Sequence, residues 1–103
     1  MYKFVFFVPD SHVEAVKKAI FNAGGGKLGE YSHCAWQTLG TGQFKPLKGS
    51  NPYSGTIDEL STVPEWRVEL VVEEFNIQAA VNAMKEAHPY EMPAYDVINL
   101  EDY

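Results

Sequence analysis

The sequence of 103 residues contains a single cysteine, Cys34, and this scarcity excludes two kinds of site. One cysteine cannot form a disulfide within the chain, and it cannot supply the several thiolates of a structural zinc cluster. Stability therefore has to come from a packed core, for which 46% hydrophobic and 14% aromatic residues are ample. We expect one folded domain that covers residues 1–103.

Basic residues are also scarce: 8 lysines and arginines against 14 acids give a formal net charge of −6. A basic face is the usual footprint of a nucleic-acid-binding protein, and basic segments are what anionic lipid head groups attract. The charge balance therefore argues against a nucleic-acid partner and against a membrane partner. No apolar run approaches the length of a membrane span. The apolar stretch at residues 4–8 lacks the small-residue cleavage site of a signal peptide, so we expect a cytoplasmic protein.

The most distinctive stretch that is present is HPYEMPAYD, residues 88–96. Its two prolines, Pro89 and Pro93, lack a backbone donor, and each pushes the preceding residue towards extended geometry. The segment is therefore neither helix nor regular strand, and it should hold a fixed path. Such a path suits a binding site, and it equally suits a tight corner.

Hydrophobic periodicity predicts two helices and four strands. Residues 2–8 are apolar on both alternating faces, which is typical of a central strand. Helical spacing follows from Val13 to Ala23, with Ser11 or the rival Asp10 as N-cap, and three glycines at residues 24–26 end the helix. Alternation predicts strands over residues 31–39, 65–73 and 94–100, and a second helix runs from an Asn76 cap to Pro89.

The order strand, helix, strand, strand, helix, strand is that of the α+β, ferredoxin-like split βαβ fold (βαββαβ). Right-handed crossovers then give an antiparallel sheet with the spatial order 4-1-3-2. Residues 40–64 form an extended arm between strands two and three. Since a connection of this length without structure is unusual in a compact domain, we expect a short strand at residues 43–45 and a turn-rich arm suited to reaching a neighbouring subunit.

Several segments together resemble one known domain. GGGKLGEYSHC at residues 24–34 is similar to the "GAGxIGxYxxC" segment of the YqfO-type domain, and matches continue at residues 40–46, 49–52, 65–69, 88–91 and 93–96. That domain is inserted into the Nif-three-like family, whose larger members carry the name GTP cyclohydrolase I type 2-like. The "HPYExP" motif also occurs in the CutA divalent-cation-tolerance family.

The resemblance implies a CutA-like or PII-like domain that tends to assemble as a trimer. In the larger relatives, a dinuclear metal site is built by the core halves that flank this domain. Those halves have no counterpart in these 103 residues. We therefore do not expect the hydrolase or cyclohydrolase activity of the larger relatives to transfer to this chain.

The sharpest site hypothesis is a divalent metal ion bound by His88 and Glu91 together with His33 or Cys34, since imidazole and carboxylate are ordinary ligands of transition metals. Strands two and four are opposite edges of the predicted sheet, roughly 14 Å apart. His33 and His88 could therefore meet only across a subunit boundary. In the alternative interpretation, His88 caps the C-terminus of the second helix. A divalent metal ion is the one candidate cofactor.

Other motifs favour structural roles. The glycines at residues 24–26 follow a helix, whereas a phosphate-binding loop precedes one. His33 and Cys34 should point to opposite faces of a strand, which favours a buried structural cysteine over an activated thiol. Arg67 and Glu69 read as a solvated or interface ion pair, with a polar pocket between subunits as the alternative. Packing and interface contacts are expected of Tyr53, Tyr90 and Tyr95.

The leading functional hypothesis is a non-enzymatic, homo-oligomeric binding or regulatory module with a small-ligand or divalent-metal site between subunits. The second is a structural or protein-interaction domain without any ligand. An enzyme acting on small substrates ranks third, because the sequence shows no nucleophile–base pair, paired carboxylates or closed set of metal ligands.

Overall fold

The strands and helices follow one another in the predicted order. The computed structural model describes residues 1–103 and contains β1 (Tyr2–Pro9), α1 (Val13–Asn22), β2 (Trp36–Phe44), β3 (Ser61–Val72), a 3-10 turn (Glu74–Asn76), α2 (Ile77–Ala87) and β4 (Tyr95–Asn99). All strand pairs are antiparallel, and the sheet order is β2-β3-β1-β4. This is the predicted order 4-1-3-2 read from the other edge, so the α+β ferredoxin-like fold is confirmed.

Both helices pack on one face of the sheet and form the core with it. Phe4 and Phe6 of β1 are fully buried there, as are Val68 of β3 and Ile20 and Met84 of the two helices. Full burial of one such side chain contributes about 1.5–3 kcal/mol. The alternation that predicted strands one and three therefore places their apolar residues against the helices.

The other face of the sheet carries no helix, and we call it the open face. It presents the alternate residues of each strand, among them Phe7 of β1, Arg67 and Glu69 of β3, Trp36 of β2 and Ile98 of β4. Trp36 is 61% exposed and Ile98 is 51% exposed. Large apolar side chains thus meet solvent at both edges of this face.

The glycine turn after α1 ends the helix as predicted. The backbone N–H of Gly24 donates to the carbonyl of Phe21, and that of Gly25 donates to the carbonyl of Ile20. Gly26 has a φ of 76°, and it joins the turn to β3 because its N–H donates to the Val71 carbonyl at 2.8 Å. A side chain at Gly26 would collide with the Phe21 ring and with the Cys34 carbonyl oxygen.

The predicted second strand is shifted along the chain. It begins at Trp36 rather than at residue 31, because His33 has a φ of 60°, which no strand accommodates. Leu28 and Tyr31 make an isolated bridge instead. The short strand expected at residues 43–45 is the end of β2, which runs unbroken to Phe44.

The predicted N-cap of the first helix is wrong. His12 occupies the cap position of α1 without a side-chain cap hydrogen bond. The Ser11 hydroxyl is hydrogen-bonded to Nδ1 of His12 at 2.8 Å, and the Asp10 carboxylate accepts from the Trp66 indole N–H at 2.8 Å. Asn76 does stand at the cap of α2, again without a side-chain cap bond.

Of the predicted arm at residues 40–64, the two ends belong to β2 and β3, and we keep the name arm for residues 45–60, which fold back on their own chain. That the arm also contacts a neighbouring subunit stays a prediction. Its backbone N–H at Asn51 donates to the Glu91 carboxylate at 3.0 Å. Asp58 N–H closes the arm by donating to the Pro46 carbonyl at 2.7 Å. The arm therefore lies beside the HPYEMPAYD segment, and the two together roof one end of the open face.

Candidate functional site

His88 holds the HPYEMPAYD segment to the sheet. It follows α2 directly and is only 6% exposed. Its Nε2 lies 2.7 Å from the carbonyl oxygen of Phe7, and its Nδ1 lies 3.1 Å from the backbone nitrogen of Tyr90. A carbonyl can only accept and a backbone N–H can only donate, so the ring is neutral with its proton on Nε2. Neither ring nitrogen keeps a free lone pair for a metal ion.

The helix-cap interpretation of His88 is confirmed for its backbone and wrong for its ring. The residue stands at the C-cap position of α2, where its backbone N–H donates to the Met84 carbonyl, whereas its ring donates to β1. Burial lowers the pKa of His88 from its ordinary value of 6.5, because the imidazolium would lose its hydration; His12 lowers it further. The bond to the Phe7 carbonyl and the charge of Glu65 act in the opposite direction.

Tyr90 is the next functional side chain of the segment, and it lies beside Glu65 of β3. Partial burial raises the pKa of the Tyr90 phenol far above its ordinary value of 10.0, and the hydrogen bond to Glu65 together with the carboxylate's charge raises it further. The phenol therefore stays protonated at any physiological pH, next to the Glu65 carboxylate.

Four aromatic rings connect the arm to the core. His12 contacts Tyr53 with the ring centroids 5.9 Å apart, Tyr53 contacts Tyr90 at 6.1 Å, and Tyr90 contacts His88 at 4.7 Å. Aromatic pairs at such distances contribute about 0.5–1.5 kcal/mol beyond the area they bury. The arm is therefore attached through Tyr53 as well as through the bond from Asn51 to Glu91.

A pocket of about 240 Å³ lies between the arm, the HPYEMPAYD segment and the open face. Its walls include the rings and carboxylates of Phe7, Phe44, Tyr53, Glu65, Tyr90 and Glu91. Three parts of the chain that are distant in sequence therefore meet in one cavity. Its lining combines aromatic rings with two carboxylates.

The three predicted metal ligands are not brought together within the chain. Glu91 borders the pocket, and His88 lies behind Tyr90 in the core. His33 packs on Phe21 at the far end of α1, with ring centroids 4.8 Å apart, and its Nδ1 is bonded to the Ser32 hydroxyl. No group of three or more His, Cys, Asp or Glu side chains is placed to hold a metal ion. A metal site shared between subunits stays a prediction.

Of the residues treated as structural, Cys34 differs from expectation, whereas the ion pair of Arg67 and Glu69 is confirmed. Cys34 is half-buried, and its Sγ lies 3.8 Å from the Ser32 carbonyl oxygen rather than in the core. Arg67 and Glu69 do form an ion pair, at 3.3 Å on the open face.

Sequence reasoning missed Glu65 and Gly42 as members of one site. They lie on neighbouring strands, and Gly42 leaves the space that the Glu65 carboxylate occupies, since a Cβ there would overlap its oxygen. The only available signal was a glycine inside a strand pattern, which indicates close approach by another group. Without the strand register, nothing connected that glycine to Glu65.

The fold places the chain among CutA-like, PII-like domains. A PII-like protein CutA from Nostoc sp. PCC 7120 superposes with a TM-score of 0.70 at 19% identity, covering 98% of this chain and 82% of that one. At this identity the likeness concerns the fold alone. No protein-family model matches the chain.

The sequence relatives are much longer proteins. A GTP cyclohydrolase 1 type 2 homolog from Mycobacterium leprae is 48% identical over 98 residues, which cover 95% of this chain and 26% of the relative. A Bacillus cereus protein related to NIF3 superposes with a TM-score of 0.84 at 40% identity, covering 98% of this chain and 26% of that one. The chain is therefore homologous to one segment of these proteins, and it spans about a quarter of their length.

Proposed function

We propose that this domain is a non-enzymatic, self-associating binding module whose subunits meet through the open face and the two sheet edges. The observation that carries the proposal is the pair of outer strands. Within the chain β2 and β4 each have a partner on one side only, and Trp36 and Ile98 are exposed beside them. A strand edge without a partner, next to exposed apolar side chains, can pair with a strand of another chain.

The resemblance to CutA-like domains favours a trimer as the assembled state. In a closed ring, the β2 edge of one subunit faces the β4 edge of the next, so no unpaired edge remains. A metal site that uses His33 of one subunit and Glu91 of another belongs to this proposal. His88 would take part only by releasing its bond to Tyr90 or to Phe7. The activity of the longer relatives is not part of the proposal, because this chain spans only about a quarter of their length.

Sedimentation equilibrium over a range of micromolar concentrations tests the association. We expect a trimer for the unchanged protein and a marked shift towards monomer for Ile98→Asp, which places a charge beside the β4 edge. Phe75→Asp is the matched control, because Phe75 is 83% exposed and lies in the 3-10 turn away from both edges. A monomer at every concentration would rule out the proposal.

Metal analysis of protein purified without an affinity tag tests the metal site separately. A bound divalent metal should be lost in His33→Ala and in Glu91→Ala, while His12→Ala should keep it. A trimer without metal would leave a structural or protein-interaction domain, the second candidate function.

Neither α1 nor α2 has the length and the apolar character of a membrane-spanning helix.

A further inference from the structure

We propose that the pocket under the arm binds a small organic cation, an ammonium or guanidinium group carried on a short apolar chain. All of its walls come from one chain. The proposal is therefore independent of the subunit association proposed above, and either can fail without the other.

The charge that lines the pocket is negative, and the nearest guanidinium, that of Arg67, lies outside the lining at 6.0 Å from the ring centroid of Phe7. Two carboxylates line the pocket, Glu65 and Glu91, whereas no lysine, arginine or histidine does. Glu91 accepts a hydrogen bond from the backbone of Asn51, which offsets part of its charge. Glu65 has no cation within ion-pair distance, because the nearby Arg67 guanidinium is turned to Glu69 at 3.3 Å. A positively charged group would find a free carboxylate at Glu65.

The position of this carboxylate is set by the backbone of β2. Gly42 provides the clearance in which the carboxylate lies, and Tyr90 lines the same pocket beside it. A fixed carboxylate binds a cation at a smaller entropic cost than one that has to be ordered on binding. The Glu65 carboxylate is therefore positioned before a cation binds, unlike a mobile carboxylate on the protein surface.

The walls suit an organic cation better than a metal ion. Phe7, Phe44 and Tyr53 bring ring systems to the cavity beside Tyr90, and the faces of such rings attract ammonium and guanidinium groups. A divalent metal ion instead needs several oxygen or nitrogen ligands around it. The cavity of about 240 Å³ is smaller than typical drug-sized pockets. This size limits the ligand to a short apolar chain.

Amide chemical shifts of the ¹⁵N-labelled protein test the proposal with defined probes. n-Butylammonium chloride is titrated, with n-butanol as the neutral analogue and sodium butyrate as the anionic one. We expect saturable shifts at the arm residues 51, 53 and 54, at Glu65 and at residues 90–92 with the ammonium probe. Glu65→Gln should weaken its binding by about tenfold or more, because a hydrogen bond to a charged group is worth about 1.5–3 kcal/mol. Glu86→Gln, at an exposed position of α2 outside the pocket, should leave binding unchanged.

A second pair of variants separates the position of the carboxylate from its charge. Gly42→Ala should displace Glu65 and weaken binding, whereas at Gly40 an added Cβ would approach nothing nearer than a carbonyl oxygen at 4.0 Å, so Gly40→Ala should not. Equal binding of butanol or butyrate, or ammonium binding that Glu65→Gln does not weaken, would overturn the proposal, as would the absence of saturable shifts. Zinc chloride producing the same shifts more tightly would assign the pocket to a metal ion instead.

Discussion

The two faces of the sheet are built from the same strands but are used in different ways. On the helix-covered face, Phe4 and Phe6 are fully buried among aliphatic side chains of both helices. On the open face, Phe7 directly follows Phe6 in the sequence yet lines a pocket that holds two carboxylates. Because successive side chains of a strand point to opposite faces of the sheet, the neighbouring residues Phe6 and Phe7 belong to the core and to the pocket, respectively.

This difference indicates where stability and binding reside. The helix-covered face supplies the apolar burial that folds the chain, so its substitutions should be costly. The open face carries charged, aromatic and edge residues whose replacement should cost little stability while changing what the protein contacts. The variants below are ordered by the expected loss of folding free energy.

Phe6→Ala should have the largest effect. It removes a fully buried ring and leaves a cavity, so we expect a loss of about 3–5 kcal/mol in the free energy of unfolding. Urea denaturation followed by circular dichroism measures it. Phe75→Ala, at an 83% exposed phenylalanine, should change stability by less than about 0.5 kcal/mol. Similar losses for the two variants would contradict the division between the faces.

Gly26→Ala should follow, because this glycine joins the helix-covered side to the end of β3. Its φ of 76° is unfavourable for alanine, and the added Cβ meets the Phe21 ring and the Cys34 carbonyl. Strain and overpacking together predict a loss of about 2–4 kcal/mol. Gly29→Ala shares the positive φ but has open space around it, so it isolates the backbone strain, about 1–2 kcal/mol.

His88→Gln tests the hydrogen bonds by which His88 holds the HPYEMPAYD segment to β1. The variant disturbs the bonds to the Phe7 carbonyl and to the Tyr90 N–H, and an orphaned buried polar group costs about 1–3 kcal/mol. Chemical denaturation at neutral pH gives the value. His33→Gln is the control, because His33 is exposed in a loop. An equal effect of the two substitutions would mean that His88 does not hold the segment.

The lowered pKa of His88 predicts that the stability of the fold depends on pH. Its folded-state pKa lies below the ordinary 6.5, so the unfolded chain binds a proton that the folded chain resists as the pH falls below that value. The stability that the neutral His88 ring contributes to the fold is therefore complete above the unfolded-state pKa. It is lost progressively as the pH falls towards the folded-state pKa. Denaturation midpoints measured between about pH 8 and about pH 5.5 should fall with pH. His88→Gln should flatten this slope, and an unchanged slope would disprove the assignment.

Arg67→Gln should have the smallest effect. The ion pair with Glu69 is half-exposed on the open face, and such pairs contribute about 0–1 kcal/mol. We expect a denaturation curve close to that of the unchanged protein. A loss as large as that of Phe6→Ala would show that the open face is part of the stabilising core after all.

Part of the candidate site could be predicted from the sequence. The two prolines correctly indicated that residues 88–94 are neither helix nor strand, although Tyr95 and Asp96, the last two residues of HPYEMPAYD, already belong to β4. The partners of that segment could not be predicted in the same way. Glu65, Gly42 and Asn51 meet it from strands and an arm that are distant along the chain. His33 was grouped with it on residue type alone and lies at the other end of α1.

The sequence by itself determined the fold, because periodic burial of apolar residues and glycine or proline stops are local signals that each element carries within itself. Those signals were sufficient for the strand order and for the core residues of β1 and β3. Only the tertiary structure decided which polar groups share the pocket, that the arm covers it, and that both nitrogens of His88 are occupied. Those facts depend on strand register and chain reversal, which bring together residues with no periodic relation in the sequence.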